Sequence, residues 1–165
     1  MKLNNWLTRL VARRALRWAN EYKFAHEPNI YIGGRQNPYL IRWHVIPRNR
    51  FFNVYLHQFM RSDDDRALHD HPWWSVSLSL SVEMEEVYRG WGGKERWRKV
   101  KPGSLVFRRA RFAHRMIVRY PGALTLFITG PRLREWGFLC PQGWVPWKVF
   151  TETDEHGRMR GCGET

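Results

Sequence analysis

From about residue 28 onward, short apolar runs alternate with turn formers, and the runs carry the two-residue period of half-buried strands. Candidate strands are Tyr39–Val45, Phe51–Met60, Trp74–Val82, Glu85–Tyr88, Arg96–Val100, Ser104–Arg108, His114–Val118, Leu124–Thr129, Trp136–Leu139 and Trp147–Phe150. Between them lie Arg61–Asp65, Gly90–Gly93, Pro102-Gly103, Pro121-Gly122 and Gly130-Pro131, residue types that favour turns. Many short strands with no helical period between them predict an antiparallel sandwich or barrel. The start of the chain reads differently. Trp6, Leu7, Leu10, Val11, Leu16 and Trp18 recur mostly at three- and four-residue steps, which predicts an amphipathic helix. The expected organisation is a basic helix over 1–25, a β domain over 26–150 and a tail over 151–165.

Composition narrows the class. Of 165 residues, 43% are hydrophobic and 15% aromatic, enough apolar surface for a packed core and too much for a disordered basic tail. Lys and Arg outnumber Asp and Glu by 28 to 15, a net charge of +13. Six of those cations lie in residues 1–24 against the single acid Glu21, and the segment 151–165 is net acidic. Most of the excess is therefore spread over the β domain, which points to anionic partners: an acidic small molecule or a polyanion such as nucleic acid. The sequence carries no RNA-binding consensus, zinc finger, helix-turn-helix, phosphate loop or nucleophile elbow. No apolar stretch reaches membrane-spanning length. Arginines interrupt any secretory h-region, although an Arg-rich, acid-poor start is shared with mitochondrial presequences. The two cysteines form no C-x-x-C pair. Neither a disulfide framework nor a zinc knuckle is expected, so a reducing, cytoplasmic setting follows and Cys140 reads as a buried, inert thiol.

The candidate chemistry centres on Leu68-His69-Asp70-His71-Pro72. On a strand, residues two apart share a face, so both imidazoles can reach one ion while Asp70 points the other way, outside a 2-His-1-carboxylate set. Further on, Lys101-Pro102-Gly103-Ser104 turns into an apolar strand, and after a loop His114 opens the next. Continuing the parity of His69 and His71 puts Trp73, Ser75, Ser77, Ser79 and Ser81 inside. Val76, Leu78, Leu80 and Val82 then face outward, to be covered by the N-terminal helix or by a second copy in a homodimer. A bulge after Pro72 would invert this pattern. Inward serines leave room for a polar substrate, with Ser75 and Ser77 as candidate contacts. His57 reads as an outer partner of the metal site or general base, or else as a hydrogen-bonded core histidine. Arg109 and Arg111, in the loop before His114, could fork onto a carboxylate or phosphate or stay solvated, and the same holds for Arg132 and Arg134 beside Glu135. Asp63, Asp64 and Asp65 suit amide capping or pairing with Arg61 and Arg66 more than a second cation. Trp136, Phe138, Trp144 and Trp147 read as core or interface.

These motifs resemble the cupin superfamily, whose members carry an early H-x-H on one barrel strand and later a P-G turn, an apolar strand and a histidine. His69 and His71 match the first, and Pro102, Gly103 and His114 the second, over roughly residues 50–150. Segments such as His69–Trp74, Thr129–Arg132 and Glu135–Trp147 look like those of small bacterial and phage cupins. The resemblance implies an all-β, cupin-type double-stranded β-helix (a jelly-roll barrel) with an N-terminal amphipathic α-helix. It also implies one divalent metal held by His69, His71 and His114. Where most metal cupins place a glutamate soon after the second histidine, this chain has Ser75 and Val76. The remaining three-histidine set is similar to that of thiol dioxygenases, which favours Fe(II), although zinc, manganese and nickel accept the same ligands. The implied activity is a mononuclear non-haem iron oxygenase or dioxygenase acting on a small polar or anionic substrate. The alternatives are a metal-dependent isomerase or hydrolase, and a non-catalytic or nucleic-acid-associated cupin that uses its positive charge.

Overall fold

A computed structural model describes residues 2–62, 67–153, 155 and 159–163. The expectations for Asp63–Asp65 and Arg66 fall outside that set. The elements in chain order are β1 (Lys2–Leu3), α1 (Trp6–Ala25), β2 (Ile30–Ile32), β3 (Leu40–His44), β4 (Asn53–Phe59), β5 (Leu68–His69) and β6 (Ser75–Ser79). They continue with β7 (Met84–Arg89), β8 (Glu95–Val100), β9 (Leu105–Arg108), β10 (His114–Ile117), β11 (Ala123–Thr129), β12 (Gly137–Cys140), β13 (Gly143–Pro146) and α2 (Trp147–Phe150). The strands form two antiparallel sheets that do not close on one another. One has seven strands in the order β1-β9-β6-β11-β4-β3-β2, and the other six in the order β13-β12-β5-β10-β7-β8.

Strand alternation decides what each sheet turns inward. Leu40, Phe59, Val106 and Ala123 of the larger sheet meet Met84, Val100 and Met116 of the smaller in one buried apolar cluster. Above it the inward positions become polar, and Ser75, Ser77 and Ser79 are all buried. No bulge resets β6: the serines face in, and Leu78 packs on the opposite face. There Leu78, Leu80, Trp43, Leu56 and Leu124 form a second cluster with Ala12 and Ala19 of α1. The helix thus covers Leu78 and Leu80, whereas Val82, expected to face outward, packs against the cluster between the sheets because the alternation of β6 ends at Ser79.

The helix uses a different face from the one its sequence suggests. Ala12, Ala15 and Ala19, with Leu16 and Tyr22, lie against the sheet, while Trp6, Leu7, Leu10, Val11 and Trp18 remain exposed. Small side chains allow a helix to approach a Leu-rich sheet face closely, and bulky ones would hold it away. Asn5 caps the helix by accepting from the Thr8 backbone N–H at 3.0 Å, and Thr8 Oγ1 accepts from the Asn5 N–H in return. The Pro102-Gly103 turn lies under this end. Gly103 has φ +82°, and a Cβ there would sit 2.8 Å from the Arg9 Cα, so both the turn and the helix contact require glycine.

Two expectations fail at the C-terminal end. Trp147–Phe150 is not a strand: Pro146 sets the chain at φ −57° and the segment turns into α2, with Trp147 stacked on Trp136 and Phe150 on Phe138. The strand in this region is β13, whose Gly and Pro residues mask its pattern. Nor are the cysteines free. Cys140 is joined to Cys162 in a disulfide across 22 positions, which ties the described part of the tail to β12. Spacing motifs miss such a bond because it depends on where the tail folds back. The bond also removes the ground for inferring a reducing compartment. Closing a loop of this length contributes about 3 kcal/mol by chain entropy. Thermal unfolding with and without reductant should show a lower midpoint for the reduced protein, and identical midpoints would count against that contribution. No described helix is long and apolar enough to cross a membrane.

Candidate metal centre

Three histidines meet between the sheets because two short strands are in register. The Cα of His69 on β5 pairs with that of His114 on β10, and with Phe138 of β12 on the other side. His71 follows just beyond β5, where its N–H donates to the Ala110 carbonyl at 3.0 Å. One ring nitrogen from each of His69, His71 and His114 lies within 4.8 Å of the others. The Nε2 atoms of His71 and His114 are 2.9 Å apart. Two imidazole edges directed at one point, with a third beside them, are what a mononuclear N-donor site needs.

The protonation states favour ligation. Burial pushes His71 well below the usual histidine value, and the neighbouring His69, His114, Arg108 and Arg42 add to that effect. Burial also lowers His114, to about 4, although Glu86 opposes the shift. Both rings are therefore neutral at pH 7, so each keeps one nitrogen free of a proton and able to hold an ion.

Behind His114 stands a carboxylate outside both histidine motifs. Glu86 of β7 is fully buried, and its Oε1 lies 2.8 Å from His114 Nδ1, an oblique approach within ion-pair range. Oε1 also accepts from Arg108 Nε at 2.7 Å, Oε2 accepts from Arg98 Nε, and Arg108 Nη1 donates to Ser77 Oγ at 2.7 Å. Burial alone would raise the Glu86 carboxyl, but Arg108, His114 and Arg98 together hold it well below the usual range. A carboxylate at the far nitrogen of a ligating histidine fixes the ring and directs its Nε2 to the ion. In the Met84-Glu85-Glu86-Val87 run, strand alternation requires one of the adjacent acids to point inward, and that was the available signal.

The other expected residues disperse. Ser77 is engaged by Arg108, whereas Ser75 Oγ is buried without a partner. Beside it Thr129, the cross-strand neighbour of Ser75 on β11, is fully buried with its own Oγ1 unpartnered. His57 on β4 accepts from Arg42 Nε at 2.9 Å and stacks between Tyr55 and Phe127, outside the three-histidine cluster. Burial, with Arg42 and His44 nearby, pushes His57 well below its ordinary value. Arg109 lines a small apolar recess with Trp74, Phe107 and Leu133. Arg111 lines a cleft on the Asp70 side of β5, the side away from the imidazoles. The arginines within electrostatic reach of His71 are instead Arg108 and Arg42.

Histidines kept neutral by burial make stability depend on pH. In the unfolded chain each titrates near 6.5, so below that pH the unfolded state binds more protons and the folded state loses ground. For His114 the loss runs from about pH 6.5 down to about 4. His57 and His71 extend it lower, and Glu86, depressed from 4.5, adds a further loss in stronger acid. Melting of metal-free protein should therefore shift steadily downward between pH 7.5 and 5, and a flat profile would contradict the neutral-histidine assignment.

No family model matches the chain, and no curated protein does. Solved structures do. KdgF from Halomonas sp. superposes with a TM-score of 0.51 at 16% identity, over 67% of this chain and 92% of that one. The DMSP lyase DddQ from Ruegeria pomeroyi DSS-3 gives 0.50 at 16%, over 72% and 61%. Streptomyces albus HEPD, with 2-hydroxyethylphosphonate and Fe(II) bound, gives 0.51 at 10%, over 62% of this chain and 23% of that one. These structural neighbours are cupin-family proteins, as the paired histidine motifs imply. Two antiparallel sheets, an N-terminal helix and a three-histidine cluster define this chain as cupin-like in fold. Nothing in these likenesses supports nucleic-acid binding.

Proposed function

We propose that the protein is a mononuclear metal-dependent enzyme of cupin type, an oxygenase acting on a small anionic substrate. On this reading the two sheets are the halves of a double-stranded β-helix, and His69, His71 and His114 hold one divalent ion between them. The observation that carries it is the convergence of three ring nitrogens within 4.8 Å, with the Glu86 carboxylate behind one of them. Fe(II) is the favoured ion, because an all-imidazole set suits iron and leaves coordination positions free. When bound, the ion supplies Lewis-acid and one-electron redox chemistry.

The protein's own groups select the substrate. The Ser75 and Thr129 hydroxyls are buried without partners on the inward face of the larger sheet, so an acceptor placed between the sheets satisfies them. The positive potential of Arg108 and Arg42, already felt at His71, favours an anion there. Two neighbours fit that chemistry by name: HEPD holds a phosphonate, and another, an oxalate decarboxylase mutant from Bacillus subtilis (TM-score 0.50), is named for a dicarboxylate. The test is to strip untagged protein of metal and reload it with Fe(II), Zn(II), Mn(II) or Ni(II). Each form is then assayed for oxygen uptake with small carboxylates and phosphonates. One ion per chain and Fe(II)-dependent uptake are expected, and protein that retains no ion sinks the reading.

A further inference from the structure

We propose that the cleft on the Asp70 side of β5 is a second binding site, built for a small phosphate monoester carried on a planar ring. The cleft encloses about 420 Å³ and is lined by Arg89, Arg111, Arg134, Asp70, Trp144 and Phe112, among others. Its cations come from separate parts of the chain: Arg89 ends β7, Arg111 lies in the β9–β10 loop, and Arg134 precedes β12. Asp70 turns away from the face of His69 and His71, so the cleft and the metal centre lie on opposite sides of one strand.

Charge accounting gives the ligand's sign and size. Asp70 is buried and already satisfied: it accepts from Arg134 Nη1, from the Gly137 N–H at 2.9 Å and from Trp144 Nε1 at 3.1 Å. That ion pair cancels Arg134. Arg89 and Arg111 are exposed, and among the described residues neither has a carboxylate or hydrogen-bond partner for its side chain. Two unpaired guanidiniums on one cleft leave an excess of about two positive charges, matching the −1.5 to −2 of a phosphate monoester at pH 7. Guanidinium forks also match the tetrahedral oxygens of phosphate.

The walls give the other half of the ligand. Trp144 is 39% exposed, with Arg134 stacked over its ring at 5.4 Å, and Phe112 stands among the other lining residues. An indole fixed by its hydrogen bond to Asp70 offers a rigid surface for a planar group. Gly137 lets β12 and β13 lie this close: a Cβ there would sit 2.1 Å from the Val145 carbonyl oxygen and 2.9 Å from Trp144 Cε2.

The test titrates phenyl phosphate, benzoate and inorganic phosphate into the full chain by calorimetry, with and without a chelator. Phenyl phosphate should bind most tightly, unaffected by the chelator and more weakly at high salt. An Arg89→Ala, Arg111→Ala double variant, which removes two exposed and unpaired side chains, should keep its fold and its metal content. It should lose roughly 10-fold or more in phenyl phosphate affinity, the scale set by charge-assisted hydrogen bonds. Trp144→Leu should bring phenyl phosphate down toward inorganic phosphate. Binding that disappears with the chelator, survives the double variant or is absent from the wild-type chain overturns the site. Phenyl phosphate binding does not require the wild-type chain to retain an ion, so the two proposals fail separately.

Discussion

Alanine at His114 should leave purified protein without its ion, while alanine at His57 should leave the metal content intact. His114 supplies one of only three nitrogens in the cluster, and its Nε2 lies 2.9 Å from that of His71. Removing it leaves two imidazoles from the two ends of a His-Asp-His run, a pair with no third donor among the described residues. Loss of an outer partner of a metal ligand costs about 10–100-fold in affinity, so loss of a ligand should cost more than about 100-fold. The fold should survive the change, because Glu86 keeps its bonds to Arg98 and Arg108. His57 is also buried, and burial lowers it too, but it is tied to Arg42 and stacked on Phe127. Its removal should lower the melting temperature and spare the metal. Elemental analysis of both untagged variants beside wild type settles the matter. Full metal occupancy in the His114 variant would show that the ion binds elsewhere.

That contrast shows how far the sequence could be read. The two-residue period located nine of its ten candidate strands, because half-buried strands write their alternation directly into the chain. Parity from His69 and His71 also placed Ser75, Ser77 and Ser79 inside and Leu78 and Leu80 under the helix, though it failed at Val82. Besides β13 and α2, three further features escaped. The face by which α1 docks depends on how closely a helix can approach, so Ala12 and Ala19 lie inside while Trp6 stays out. The bond from Cys140 to Cys162 depends on the path of the tail. Arg108 and Glu86 were hidden because charged residues in a strand normally signal its solvent face. Here each is buried only because the other is there, a pairing across 22 positions that no local pattern reveals.

Glu86 should prove to be both a structural keystone and a positioning residue for His114, and three variants separate the roles. In Glu86→Ala, Arg108 stays buried against Ser77 with its counter-charge gone, while Arg98, which is 18% exposed, can turn to water. Breaking a buried pair from one side costs about 3–5 kcal/mol. That is a large share of the 5–15 kcal/mol that domains possess, and in a chain of this size it lowers the melting temperature by roughly 10 °C. Replacing both partners, as Glu86→Met with Arg108→Met, removes the orphaned charge and should restore most of that stability. It should not restore metal binding, since His114 Nδ1 still has no acceptor to fix its tautomer and draw its Nε2 toward the ion. Glu86→Gln keeps the shape without the charge, so its metal affinity should fall by about 10–100-fold while His69 and His71 are untouched. Melting curves of the metal-free forms read the structural role, and competition with a chelator reads the positioning role. If the double variant regains stability and affinity together, Glu86 acts only as packing. If affinity stays low while stability returns, the carboxylate serves the metal centre through His114.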